Sequence, residues 1–504
     1  MKGVENSDRE SDTKGTDAEE EEILVCLKCY TSFTAVNTIG GIRNLFTFGL
    51  RLGGPQAYWI TYIASSVLVV ITALVLAEVC SALPAAGSIY LWAAASGGKH
   101  FGRFFGFLVA FWATTAWTSF IASNSQNISY YILSEIAVFN LDFSTDVNDV
   151  KFRAVQWIVA EAVLAISLII NYIPPTWYRW VFRIGTFIVV SDFVINIIWL
   201  PIGVSNSYGF QSAKFVFTDY ENYSGGSDSL AWILCLFATG GIQVGFDASG
   251  HVAEETKHAS TVAARGILTS CIACILVGLA CVFLFLFCTP DLDILFSLDA
   301  PQPMVQFYAL ALGQRAHVAM TVITVLAAFS ASCVSIVAAS RLIYAIARDG
   351  VLPFSGWIGR LDPKTKQPAN SITFLGIVAA ILLCSILPSS LAFQSLVSAA
   401  GVPTIASWGL ISFGLCFFTK KLKPKYSLGV FSKPFQFISF LWNTFLTAIL
   451  LCPQEFPVTS QNLNYSPIIL GIVSLFAVIA YFVISEDRWF KISKHIPEHL
   501  AEGR

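Results

Sequence analysis

A chain of 504 residues with 55% hydrophobic but only 12% charged residues is not a soluble globular protein, because such domains carry roughly a quarter charged residues. No long polar stretch remains to form a soluble catalytic domain, and the mean hydropathy of +0.68 points to a polytopic helical membrane protein. The formal net charge of −2 says little about partners, since the sidedness of charge matters more than its sum in a membrane protein.

Residues 1–28 open with "MKGVENSDRESDTKGTDAEEEE", which is acidic and lacks apolar residues; the segment reads as a disordered cytoplasmic tail. It has no basic start followed by an apolar core, so no cleaved signal peptide is expected. Apolar stretches of about 20 residues, long enough to cross a bilayer, then recur to the C-terminus. Spans are expected near 31–50, 58–83, 101–137, 154–173, 182–203, 230–256, 266–288, 317–346, 371–388, 392–418, 434–452 and 466–485. The third is long enough to include tilt or an outer turn. Cys26-x-x-Cys29 and Cys271-x-x-Cys274 have metal-like spacing but no second ligand pair, so they read as small buried residues.

With the N-terminus inside, the inner loops carry Lys99 and Arg103, Arg179 and Arg183, Lys257 and Arg265. Further along come Arg348, Arg360, Lys364 and Lys366, then Lys420, Lys421, Lys423 and Lys425, and finally Arg488, Lys491 and Lys494. The outer loops "NLDFSTDVNDV", "FTDYENYSGGSDS" and "TPDLDILFSLDAPQP" are acidic or neutral. This is the positive-inside pattern with both termini cytoplasmic. The sequon Asn222-Tyr223-Ser224 falls on an expected outer loop, in agreement.

The sixth span contains "ATGGIQVGFDASGHVAEETKHAS", too polar for an uninterrupted membrane helix and too apolar for a loop. A helix interrupted in hydrocarbon must bury its freed backbone in protein or line a wet cavity. Transporters build substrate sites from such discontinuous helices. The expected interruption at Gly240-Gly241, repeated at Gly245, is echoed by Gly40-Gly41 in the middle of the first span: "TIGGI" against "TGGI". A pairing of span one with span six is what a five-plus-five inverted repeat requires. Candidate substrate-binding residues are therefore Thr38, Ile39, Gly40, Gly41, Thr239, Gly240, Gly241, Gln243 and Asp247. Close helix packing through small residues is the competing reading for the glycines.

"GFDASGHVAEETKHA" (245–259) resembles the sixth-helix signature of the amino acid–polyamine–organocation transporter superfamily, in particular its amino acid/choline branch of fungal choline and 4-aminobutyrate permeases. "AEVCSALPAAGSIYLWAA" (77–94), "GLRLGGP" (49–55) and "RLIYAIARDGVLP" (341–353) are similar to other segments of that family. The resemblance covers roughly residues 30 to 485. It implies an all-α integral membrane fold of 12 transmembrane helices, a 5+5 inverted repeat with broken helices 1 and 6, and alternating access without covalent chemistry. The implied organisation is a first repeat at 29–228, a second at 229–420, peripheral helices 11 and 12 at 421–487 and a cytoplasmic tail at 488–504.

Several polar residues lie at membrane depth. A carboxylate there costs a few kcal/mol and should face a cavity or a partner. Asp247 meets that condition, resembles a gating acidic residue of the family, and could also cap the second half of the sixth helix. Asp192, in "FIVVSDFVINIIWL", departs from the lysine that some relatives carry in place of a bound sodium ion. It is a candidate proton or sodium ligand, or a neutral structural acid. In sodium-driven relatives helix-eight hydroxyls complete the coupling-ion site, which here points to Ser330, Ser332 and Ser335, with simple packing as the competing role. Arg43, just past the first break, is expected to pair with Asp247 or Asp192 or to meet a substrate carboxylate; left unpaired in the cavity it would repel a choline-like cation. Glu78 fits a family structural motif, and Glu161 calls for a hidden partner. Trp112, Trp117, Tyr130 and Trp408 could wall a cationic headgroup.

The reading is a secondary active permease of small nitrogenous solutes such as amino acids, 4-aminobutyrate, choline or related amines. Coupling is expected to protons first and sodium second, by symport, with no cofactor. Helices three, eight and ten would complete the wall. A permease for thiamine or a biotin precursor, or a non-transporting nutrient sensor, are the alternatives. An enzyme is not expected, because of the six histidines only His251 falls mid-membrane and no second ligand accompanies it. The partners are the lipid bilayer and the solute, not nucleic acid. The plasma membrane is the expected location, with vacuolar or endosomal membranes as alternatives.

Overall fold

The computed structural model describes residues 33–34, 36–85, 87–251, 253, 258–388, 390–419, 424–453, 456–459 and 463–485. The N-terminal and C-terminal tails, Cys26, Cys29, Lys257, Lys420, Lys421 and Lys423 lie outside these. The main elements are α1 (Thr38–Ala82), α2 (Ser88–Ser96), α3 (Gly98–Val138), α4 (Val150–Asn171), α5 (Tyr178–Asn206), α6 (Asp228–Thr239) and α7 (Ala248–His251). They continue with α8 (Ala259–Cys288), α9 (Pro303–Leu312), α10 (His317–Arg348), α11 (Ala369–Leu383), α12 (Ser390–Phe417), α13 (Ser432–Leu451) and α14 (Ser466–Val483). Among the described residues there is no strand, and ten helices are long and apolar enough to cross a membrane. The protein is an all-α, multi-pass integral membrane protein.

α1 holds the first two expected spans in one 45-residue element, bent at Gly53 and Gly54. Pro55 has no N–H to continue the helix, and the outer loop steadies the bend: Gln56 N–H donates to the Asp219 carbonyl at 3.1 Å and Tyr223 N–H to that of Arg51 at 2.9 Å. Gly54 has φ +67°, and a Cβ there would sit 2.7 Å from the Glu221 nitrogen. Gly54→Ala is therefore expected to destabilise the protein by at least about 1–2 kcal/mol, the left-handed penalty alone. Thermal unfolding of the purified protein reads this, and an unchanged midpoint would remove the strain argument.

Most buried positions on α10 are small or polar, as helix association in lipid favours close backbone approach and interhelical hydrogen bonds. α10 is the most enclosed, with 72% of its apolar window buried, against 11% for α14. On α13, Gln436, Ser439, Asn443 and Leu446 form one buried stripe, the three-and-four spacing of a single helix face. Asn443 Nδ2 donates to Thr72 Oγ1 of α1 at 3.0 Å, and Ser439 Oγ meets Ser412 Oγ of α12 at 2.8 Å. The opposite face, with Phe437, Leu441 and Phe445, is exposed. Glu78 has a structural role: its carboxylate accepts from Leu428 N at 3.0 Å and Ser432 Oγ at 2.6 Å, tying the second span to the entry of α13.

Candidate functional site

The sixth span is broken where the glycines indicate. α6 ends at Thr239, residues 240–247 are unwound, and the short α7 follows. Gly240 and Gly241 both turn back to the Leu236 carbonyl, at 2.8 and 3.2 Å, and Gly245 takes φ +93°, a conformation open to glycine at little cost. The first span breaks elsewhere. Gly40 and Gly41 are helical; the interruption lies at Asn37, in the left-handed region with φ 42° and ψ 58°. Asparagine tolerates that conformation because its short side chain bonds locally, a signal available in the sequence but hidden by the glycine echo.

The two breaks meet, since a Cβ on Gly245 would lie 3.6 Å from Val36, the residue before Asn37. A small cavity with room for little more than a water molecule opens beside them, lined by Val36, Thr38, Tyr62, Val69, Ile242, Gln243, Phe246, Cys271, Cys274 and Ile275. The wall expected from the third, eighth and tenth spans does not enclose this cavity; the second span and α8 do. Of the glycine pairs, Gly240 faces Ser65 and Leu446, and Gly241 faces Leu450, so these are packing contacts. Ile39 belongs to an apolar core with Ile42 and Phe46. Thr239 Oγ1 is spent on Thr61 Oγ1 and the Cys235 carbonyl, each at 3.1 Å. Of the nine candidates, Thr38 and Gln243 line the cavity.

Asp247 lies on the other side of Phe246. It is buried, and neither carboxylate oxygen has a hydrogen-bond partner among the described residues. His251, one turn later, stands with Nε2 3.8 Å from Asp247 Oδ2. Its Nδ1 is hydrogen-bonded to Ser88 Oγ of α2, its ring meets Trp117 of α3 edge-on at 5.3 Å, and Nε2 has no hydrogen-bond partner. Trp408 of α12 packs on Phe246 at 4.7 Å and brings its indole N–H to the side of Asp247. Here the third and tenth helices do contribute a wall. Trp112 does not, because its indole donates to Ser474 of α14 at 2.8 Å. Tyr130 accepts from Gln126, one turn earlier on α3, at 3.2 Å. Glu161 also finds its partner within its own helix, accepting from Trp157 Nε1 at 3.2 Å.

Arg43 does not pair with Asp247. It forms a bidentate, fully buried ion pair with Asp192 of α5, Nη1 to Oδ1 at 2.9 Å and Nη2 to Oδ2 at 2.5 Å. Nη1 also donates to Thr324 Oγ1 of α10 at 2.7 Å and to Tyr308 of α9 at 3.4 Å. The ring closes as Tyr308 donates to Asn196 Oδ1 at 2.7 Å and Asn196 Nδ2 donates to Asp192 Oδ1 at 3.0 Å. Such planar two-point pairing satisfies both carboxylate oxygens, so Asp192 holds a guanidinium where a coupling ion was expected. Ser330 is not part of this cluster. It faces Gly185 of α5 and bonds the Leu326 carbonyl at 2.8 Å, six residues and about 9 Å along α10 from Thr324. The hydroxyls of Ser332 and Ser335 are buried without partners. Tyr308, Thr324 and Asn196 are not among the residues expected from sequence, although the four-residue spacing of Asn196 from Asp192 on one helix face is a signal that could have found it.

A helical bundle with two interrupted helices meeting at depth is the fold of a membrane carrier, and the comparisons agree. The amino acid permease family model matches residues 30–474, and the chain belongs to that family. The thiamine transporter thi9 of Schizosaccharomyces pombe is 46% identical over 91% of this chain and 82% of its own length. The amino-acid permease BAT1 homolog of Oryza sativa subsp. japonica is 26% identical over 91% of this chain and 90% of its own. The solved manganese transporter of Eremococcus coleocola superposes with a TM-score of 0.54 at 12% identity, covering 92% of this chain and 94% of that one, which shows a shared fold. The protein is a transporter of the amino acid permease type, not an enzyme.

Proposed function

We propose that this permease carries thiamine or a closely similar cationic heterocycle, bound at the junction of the two broken helices. The observation that carries the reading is Asp247, a buried carboxylate beside Phe246 and Trp408 with no guanidinium or ammonium partner among the described residues, its nearest ionisable neighbour being His251 at 3.8 Å. An uncompensated carboxylate at membrane depth calls for a positive partner, and aromatic faces favour a delocalised cation. Arg43 does not oppose this, because Asp192 neutralises it. The 46% identity to a thiamine transporter favours thiamine over choline, 4-aminobutyrate and amino acids. Coupling to protons rather than sodium fits the same geometry: Asp192 already holds a guanidinium, while His251 Nε2 is bare. We read the architecture as two inverted repeats with both termini cytoplasmic, in the plasma membrane.

The cavity is too narrow for such a solute, so transport requires its wall to part. Proteoliposomes test the reading with radiolabelled thiamine, choline, 4-aminobutyrate and amino acids, with and without a pH gradient. Saturable thiamine uptake that responds to the pH gradient and ignores sodium is expected. Uptake of an amino acid with no thiamine transport would overturn it, and binding without flux would mark a sensor.

A further inference from the structure

The cavity beside the breaks holds two orphaned polar atoms in an otherwise apolar lining. Gln243 and Thr38 are only 8% and 9% exposed. The Gln243 amide is oriented by its own nitrogen, which donates to Ser65 Oγ at 3.0 Å and to the Thr239 carbonyl at 3.1 Å. Among the described residues that leaves Oε1 as an acceptor with no partner, and Thr38 Oγ1 has none either. Tyr62 gives its hydroxyl to the Ile275 carbonyl at 3.4 Å, so it presents its ring. Val36, Val69, Ile242 and Phe246 supply flat apolar flanks.

A buried acceptor without a donor is costly, and a ligand that supplies the donor recovers that cost. The donor must be neutral, because an ammonium group would lose its hydration in a lining with no carboxylate. We propose that this cavity is a subsite for the edge of a neutral amino-substituted aromatic heterocycle. The exocyclic N–H donates to Gln243 Oε1, and a ring nitrogen accepts from Thr38 Oγ1. The inference rests on the proposed function, with the positive charge of the same solute left to Asp247. Gln243 and Asp247 are four residues apart, so at most about 14 Å separates their backbones, within reach of one two-ring solute. Choline, with no N–H, and 4-aminobutyrate, with a charged amine, do not fit.

The test uses the full-length carrier in proteoliposomes, with thiamine and its 4-oxo analogue, oxythiamine, which replaces the amino donor by an acceptor. Wild type should prefer thiamine by about 10- to 100-fold in kcat/KM, since sites built around a buried hydrogen bond reject the analogue that lacks it. Gln243→Met should raise the thiamine KM and erase the preference, leaving oxythiamine transport within about two-fold of wild type. Thr38→Val, nearly isosteric, should narrow the preference, and covers the case in which Gln243→Met does not fold. A wild type that does not discriminate, or variants that keep the preference, would overturn the subsite while leaving thiamine transport standing. If no thiamine is transported, calorimetry of purified wild type with 4-amino-5-hydroxymethyl-2-methylpyrimidine decides separately. Binding lost in Thr38→Val upholds the subsite without the thiamine reading; absence of binding rejects it.

Discussion

Asp247→Asn is expected to lower uptake by at least about 30-fold while the protein still folds and reaches the membrane. The substitution removes one charge and keeps the shape. The nearest ionisable group is the His251 imidazole, whose Nε2 stands 3.8 Å from Asp247 Oδ2, so little internal contact is lost with the charge. What disappears is attraction for a cation in a site sealed from water, where removing one partner of a desolvated charge pair costs about 2–5 kcal/mol. Each 1.36 kcal/mol is a factor of ten in rate. Initial rates of radiolabelled uptake, normalised to the amount of protein in the membrane, measure the effect. Wild-type rates in the variant would mean that the carboxylate does not anchor the solute, and the cationic-substrate reading would fall with it.

Arg43→Met and Asp192→Leu should each be strongly destabilising alone and far less so together. Each single change strands a charge in a cluster with 0% side-chain exposure, and breaking such a pair from one side costs about 3–5 kcal/mol. The double variant removes both charges, and similar apolar replacements of buried pairs are near neutral or better. Thermal unfolding in detergent distinguishes the cases. A double variant whose loss equals the sum of the two single losses would show that the two residues are not coupled. The same geometry revises what Asp192→Asn should do. A flattened pH or sodium response, expected for a coupling ligand, gives way to lost stability, because both oxygens of Asp192 are engaged by Arg43 and Asn196. The ion pair joins α1 to α5, and its hydrogen bonds reach α9 and α10, so its loss should also loosen the packing of these four helices.

The sequence by itself determined the membrane class, the places of the spans and the break in the sixth. These follow from a one-dimensional constraint: hydrocarbon demands an apolar helix of fixed length, and glycines with a carboxylate in such a stretch report an interruption locally. The first break was placed three residues late, because Gly40 and Gly41 mimic the sixth span while Asn37 carries the left-handed turn. The kink at Gly53 and Gly54 passed as a loop between two spans for a related reason: a bend held by a distant outer loop leaves no mark in hydropathy.

Only the tertiary structure decided which charges are spent and which remain. Arg43 had two carboxylates to choose from, and its partner lies 149 residues away; nothing local selects it. Tyr308, which closes that cluster, comes from a helix outside every expected span. Asp247 acquires its meaning by elimination, as a buried carboxylate that Arg43 leaves free, and Gln243 does so through the serine that orients its amide. Pairing in a low-dielectric interior depends on which atoms come within a few ångströms of one another, and that proximity exists only once the helices have packed.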